Sequence, residues 1–169
     1  MNSANNSDIS SHFDRSFVAR LVADLRARDV VRRVVLANGC FDILHVGHVR
    51  YLEDAKAQGD FLVVALNTDE SVRALKGETR PVVTLRERAE VLRALRCVDM
   101  VTSFGEATLE QTLREIRPDV HAKGADYTRE SVPERAVDIE LGIEIAICGD
   151  VKEHSSSELA EKLRVSSKA

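Results

Sequence analysis

The chain has 169 residues, 44% hydrophobic, 31% charged and 4% aromatic, with 8 Gly, 3 Pro and no Trp. That length and mix support one sizeable core and exclude a disordered, collagen-like or low-complexity chain. With 24 Lys and Arg against 28 Asp and Glu the formal charge is -4, which argues against nucleic acid as the main partner.

Residues 1–12 read as a flexible tail and residues 13–165 as a single domain. The opening MNSANNSDISS lacks the basic and apolar regions of a signal peptide, and no apolar run approaches the roughly 20 residues of a bilayer span. A cytoplasmic chain without membrane association is expected. From Asp14 to about Arg28, Phe17, Val18, Leu21, Val22 and Leu25 form the stripe of an amphipathic helix. Short β-branched runs follow at Arg33 to Ala37, Phe61 to Leu66, Val98 to Thr102, Asp119 to Ala122 and Ile143 to Cys148, each succeeded by a helical pattern. Strands this continuously apolar are buried on both faces, and strand-helix alternation demands parallel pairing through right-handed crossovers. The expectation is a doubly wound, Rossmann-like α/β sheet of about five parallel strands with helices on both faces.

Helix starts are marked by the capping-box pairs Thr84 with Glu87, Thr108 with Gln111 and Ser155 with Glu158. Pro118 predicts one helix end and Gly59 a cap on another. In such a sheet the ligand site lies beyond the carboxyl ends of the strands, where the strand order reverses. The three cysteines, Cys40, Cys97 and Cys148, are odd in number and show no C-x-x-C spacing, so reduced thiols are expected.

The loop after the first strand, Ala37 to His48, runs straight into a helix holding Val49, Leu52 and Ala55. His45 and His48 then share one face of its first turn, beside N–H groups without helical partners and at the positive end of the dipole. Anions bind there, and Gly39 and Gly47 leave room for a phosphate against the main chain. The same positive end disfavours imidazolium, so both rings are expected as neutral N–H donors, suited to charge growing on a phosphorus under attack. The competing readings are helix capping by the two rings, a metal site D-x-x-H-x-x-H formed by Asp42, His45 and His48, and a nucleophilic role for Cys40.

The string G-x-F-D-x-L-H-x-G-H, from Gly39 to His48, resembles the HxGH nucleotidyltransferase superfamily. The resemblance extends through NGCFDILHVGHVRYLEDAKAQGD, NTDESVRALKG, RPV, LRCVDMV and KGADY, and is nearest to the adenylyltransferases acting on D-glycero-β-D-manno-heptose 1-phosphate. It implies AMP transfer from ATP to a sugar 1-phosphate, with Mg²⁺ accompanying the triphosphate and, in the family, often a homodimer. It further implies that His45 and His48 stabilise the transition state, that Lys76 swings over the β- and γ-phosphates, and that Gly39, Cys40, Phe41 and Gly47 hold phosphate through the backbone. Lys123, Gly124 and Asp126, of the KG-x-DY loop, and Ser155, Ser156 and Ser157 complete the implied nucleotide site.

Seven basic residues against three acidic ones lie between Arg73 and Arg96. Among them Arg88 stands at the margin of an apolar helix face formed by Leu85, Leu92 and Leu95, where a guanidinium needs anionic partners. The resemblance assigns Arg88, with Arg96 and Asp42, to the phosphate substrate; the alternative for Arg88 is an acidic neighbour such as Glu87 or Asp99. Ala125 replaces a family glycine, and Leu141-Gly142 replaces a Gly pair. A cytidylyltransferase for glycerol 3-phosphate and a non-catalytic nucleotide-binding module are the rival functions.

Overall fold

The computed structural model describes residues 14–150. The expected tail of residues 1–12, His154 and the serine run Ser155, Ser156 and Ser157 with its capping partner Glu158 lie outside the described residues. The order of elements is α1 (Arg15–Ala27), β1 (Val34–Gly39), α2 (Val46–Ala57), β2 (Phe61–Asn67), α3 (Asp69–Lys76), α4 (Leu85–Arg93), β3 (Met100–Phe104), α5 (Glu110–Ile116), β4 (Val120–Gly124), α6 (Arg135–Leu141) and β5 (Glu144–Cys148). The five strands form one sheet in the order β3-β2-β1-β4-β5, and every neighbouring pair is parallel. The expected doubly wound architecture is therefore the one observed.

Alternation along the central strands divides the core in two. Val35 and Ala37 of β1 face a layer containing Leu52 and Ala55 of α2 and Ala89 and Leu92 of α4. Val34 and Leu36 face Val18 and Val22 of α1, Leu113 and Ile116 of α5 and Val137 of α6. Both sets are almost fully buried, as strands covered by helices on either side must be.

Local chemistry sets the element ends. Asp14 caps α1 by accepting from the Ser16 N–H at 2.9 Å, and Thr84 with Glu87 forms the expected capping box on α4. Arg117, at φ 48°, ends α5 in the left-handed region just before Pro118. Two expectations are corrected. The N-cap of α5 is Leu109, whose N–H donates to Glu134 Oε1 at 3.2 Å, so a carboxylate from the start of α6 does the work expected of Thr108 and Gln111. Gly59 is not a left-handed cap: α2 ends on Gln58, and a Cβ at Gly59 would lie 2.5 Å from the Arg33 carbonyl oxygen. Close backbone approach at the entry to β1, rather than φ, requires glycine there.

Candidate active site

The strand order reverses between β1 and β4, and a cavity of about 570 Å³ opens beyond their carboxyl ends. Its wall includes Asn38, Gly39, Cys40, Phe41, His45, Gly47, His48, Lys76, Lys123, Gly124 and Asp126, eleven positions that residue patterns and resemblance had singled out or adjoin. It also includes Thr108, which the sequence marked only as a helix cap, and Phe104, Leu109, Pro133, Glu134 and Gly149, for which no motif spoke.

The part of the wall after β1 is built by a sharp turn. Phe41 adopts φ 46°, in the left-handed region, and folds its ring back into the core. A Cβ on Gly39 would stand 3.0 Å from Phe41 Cε2, so any larger residue there would press on that ring. The Phe41 ring then supports the His48 ring, with centroids 5.0 Å apart, and lies near-parallel to Tyr51 at 6.3 Å. His45 occupies the N-cap of α2 and His48 its third position, and the two imidazoles stack at 3.8 Å with 28° between their planes. Gly47 leaves room for it: a Cβ there would meet the His45 ring at 3.1 Å, closer than ordinary van der Waals contact.

The His45 N–H donates to His48 Nδ1 at 3.4 Å. Nδ1 is therefore the acceptor nitrogen, and a neutral His48 carries its proton on Nε2. The helix dipole reinforces that neutral form, because positive potential at an N-terminus opposes a second proton. The two rings thus cap the start of α2 reciprocally, the alternative raised for them above, and the cap leaves His48 Nε2–H at an anion-binding helix end. Lys76 is the last residue of α3, exposed, followed by Gly77 at φ 95°, and it forms part of the cavity wall.

Three expected site residues do not reach the cavity. Asp42 is turned inward with its side chain fully buried, accepting from Arg80 Nη1 and from the N–H groups of Val82, at 2.7 Å, and Val83, at 3.0 Å. It ties the loop after β1 to the segment before α4. This also removes Asp42 from the metal reading, and among the described residues no group of three or more His, Cys, Asp or Glu side chains converges on an ion site.

Arg88 is likewise buried, at 1% exposure. Its guanidinium donates to the carbonyls of Val83, Cys40 and Asn67, at 3.0, 2.6 and 2.9 Å, and to Asp69 Oδ1 at 2.7 Å. Four of its five N–H donors are committed inside the scaffold, and the guanidinium is not part of the cavity wall. The anionic partner that its sequence position demanded is Asp69, at the start of α3, rather than a substrate or Glu87 or Asp99. Arg96 is exposed beyond the end of α4 and is not part of the cavity wall.

Cys40 contributes its carbonyl to Arg88 and its thiol to Asn67 Oδ1 at 3.6 Å. Burial, only partly offset by Lys76 and Arg88, raises the thiol above its ordinary pKa, which excludes a ready nucleophile. The three cysteines are free thiols, as their spacing predicts.

Lys123 lies at 5% exposure on the opposite wall, its Nζ 3.0 Å from Glu134 Oε2 and 3.2 Å from Asn38 Oδ1, over the Tyr127 ring at 5.1 Å. Burial raises the Glu134 carboxyl, and the Lys123 ammonium with the Leu109 N–H outweighs it, so the group is held below the ordinary glutamate range. Glu134 carried no motif signal; an acid after Pro133 at a helix start reads as simple dipole compensation. A Cβ at Gly124 would lie 2.6 Å from Asp126 Oδ1, so a larger residue there would turn the exposed Asp126 side chain aside. Behind this pair His121 is fully buried in the core, with Nδ1 at 3.0 and 3.1 Å from the carboxylate oxygens of buried Asp138.

The sequence profile of the cytidylyltransferase-like family matches residues 36–163. Curated relatives named bifunctional protein HldE are 47% identical over 145 residues in Pseudomonas fluorescens Pf0-1, covering 86% of this chain and 30% of that protein, and 48% identical over 132 residues in Azotobacter vinelandii DJ, covering 78% and 28%. The chain thus spans less than a third of the length of these relatives. A solved structure, the lipopolysaccharide core biosynthesis protein of Thermoplasma volcanium GSS1, superposes with a TM-score of 0.62 at 31% identity, over 71% of this chain and 98% of that one. Among the described residues no helix is long and apolar enough to cross a membrane.

Proposed function

The chain belongs to the cytidylyltransferase-like family, and from that premise we propose that it is a nucleotidyltransferase moving AMP from ATP to D-glycero-β-D-manno-heptose 1-phosphate. The observation that carries the reading is the stacked pair His45 and His48 at the N-terminus of α2, in the wall of the cavity where the strand order reverses. The relatives named HldE and the neighbour in lipopolysaccharide core biosynthesis support the choice of a heptose phosphate. The cytoplasm, where ATP is made available, is the compartment this activity requires.

A phosphate oxygen of the acceptor attacks the α-phosphorus in line with the bond to the leaving pyrophosphate. The α-phosphate rests against the free N–H groups of α2, and the neutral imidazoles donate to its oxygens as negative charge accumulates. His48 does so through Nε2–H, the tautomer that the His45 N–H enforces at Nδ1. Lys76, on its exposed helix end, meets the departing phosphates. No covalent intermediate is needed, and none of the described cysteines is activated for one.

Mg²⁺ belongs to the same proposal. The wall presents scattered carboxylates rather than a cage, which fits an ion carried on triphosphate oxygens, with exposed Asp126 and Asp150 as the groups that would hold its waters. When bound, the ion neutralises charge on the leaving pyrophosphate.

The test is pyrophosphate release with ATP or CTP against heptose 1-phosphate, mannose 1-phosphate and glycerol 3-phosphate. Turnover highest with ATP and heptose 1-phosphate is expected. Preference for CTP and glycerol 3-phosphate replaces the substrate assignment, and ATP binding without turnover on any acceptor makes the chain a nucleotide-binding module.

A further inference from the structure

The cavity holds a buried ion pair that phosphate binding does not explain. Lys123 and Glu134 are 5% and 4% exposed, yet both form part of the wall. An ammonium has three donors, and at Lys123 one is directed to Glu134 and one to Asn38 Oδ1. One remains, over the face of Tyr127. The pair as a whole is neutral, so it offers no net attraction to a phosphate. Drawing Lys123 onto a phosphate would strand a buried carboxylate, a costly arrangement.

Glu134 is similarly divided. Oε1 accepts from the Leu109 N–H at the start of α5, while Oε2 faces Lys123 at 3.0 Å and keeps acceptor capacity. One donor and one acceptor, held a salt-bridge length apart on a rigid floor, match two adjacent hydroxyls. Phe104, Leu109 and Pro133 beside them supply the apolar surface on which the C–H face of a sugar ring packs.

We propose that the Lys123–Glu134 pair is the hydroxyl-reading element of the cavity, Glu134 accepting from one hydroxyl of a vicinal diol and Lys123 donating to the next. The proposal rests on the reading of the chain as an enzyme with sugar-bearing substrates, since the diol belongs either to the ribose of the nucleotide or to the ring of the acceptor. Glu134 is a binding residue under this assignment, and Asn38 and Tyr127 orient Lys123. The bond from the Leu109 N–H, by contrast, is the part a purely structural carboxylate would account for.

The experiment compares ATP with 2′-deoxy-ATP and 3′-deoxy-ATP, and heptose 1-phosphate with its 2-deoxy and 3-deoxy analogues, in the full chain and in Glu134→Gln. The amide keeps the acceptor for the Leu109 N–H and the shape of the side chain but loses the charge. The expected result is that the full chain disfavours deoxy analogues of one substrate about tenfold or more in kcat/KM, the scale of a lost hydrogen bond to a charged group, and that Glu134→Gln erases most of that discrimination. Which substrate shows the effect identifies the source of the diol.

Equal discrimination in both proteins, or none in the full chain, overturns the proposal. The same compounds are titrated calorimetrically, so that a full chain that binds ATP without turnover ends the enzymatic reading while the ratio of Kd values still decides the hydroxyl contact. Lys123→Gln in parallel covers misfolding of the first variant: it is expected to weaken the same analogue series, and discrimination kept at the full-chain level overturns the proposal.

Discussion

Replacing Arg88 by Met separates a substrate ligand from a structural tie. The structure gives this guanidinium four acceptors on four segments: the Cys40 carbonyl after β1, the Asn67 carbonyl ending β2, Asp69 starting α3 and the Val83 carbonyl before α4. Met fills much of the volume but satisfies none of them. Asp69 keeps a bond from the Leu85 N–H, at 2.8 Å, so its charge is not wholly stranded, whereas the three carbonyls lose a charged donor. Breaking a buried pair of this kind costs about 3–5 kcal/mol. For a domain of this size that is a fall in Tm of about 10–15 °C, read by calorimetry or by a lower urea midpoint at unchanged slope. A substrate ligand behaves otherwise: its removal leaves Tm within a degree or two and raises the acceptor KM. A stable Arg88→Met protein with a selectively raised KM refutes the structural assignment.

His48→Ala is expected to lower kcat about a hundredfold or more with little change in substrate KM, since a donor that tightens in the transition state is lost; pyrophosphate-release kinetics at saturating substrates measure it, and unchanged kcat removes His48 from the chemistry. Gly59→Ala drives a methyl to 2.5 Å from the Arg33 carbonyl oxygen and should destabilise by about 1–3 kcal/mol in urea titration without altering KM. At Glu134 the folded carboxyl is held below its ordinary value of 4.5, so the unfolded chain takes up the proton first as the medium is acidified. Its contribution is complete above pH 4.5 and is lost progressively below it, and Glu134→Gln should flatten the fall in stability over that window in urea midpoints against pH.

The fold was legible because its signals are local and repeated. Five apolar runs alternating with helical stripes leave few ways to bury both faces of every strand, and Thr84 with Glu87 announces α4 by chemistry contained in four residues. The paired histidines were legible for the same reason: spacing fixes their face, and the chain itself supplies the dipole. Partners remote in sequence were not. Whether Arg88 meets a ligand or Asp69 depends on a partner 19 positions away in the chain, and whether Asp42 faces the cavity or Arg80 on one 38 positions away. Thr108 lost its capping role to Glu134, which lies 25 residues from the N–H it accepts. Composition near a motif identifies a charge that needs satisfying, and only the folded chain decides what satisfies it.

That distinction orders the charged side chains around the cavity. Asp42 and Arg88 are charges consumed by the scaffold: each spans several loops, and neither forms part of the wall, so their energy goes into holding the loop after β1 at a fixed height above α3 and α4. That height matters because the same loop carries Phe41, whose ring sets the His48 plane. A donor aimed at a developing oxyanion works only when it does not reorganise during the reaction. On the proposed mechanism the chain commits Arg80 and Arg88 to the scaffold, and charge stabilisation at the α-phosphate falls to neutral imidazoles and backbone N–H groups. An exposed cation at the position of His48 would bind the ground-state phosphate as tightly as the transition state, and uniform binding does not raise kcat. On this account His48→Lys, although more positive, is expected to lower the KM for ATP while leaving kcat as depressed as in His48→Ala. Recovery of kcat by the lysine, in the same pyrophosphate-release assay, shows that bare charge rather than fixed geometry carries the catalysis.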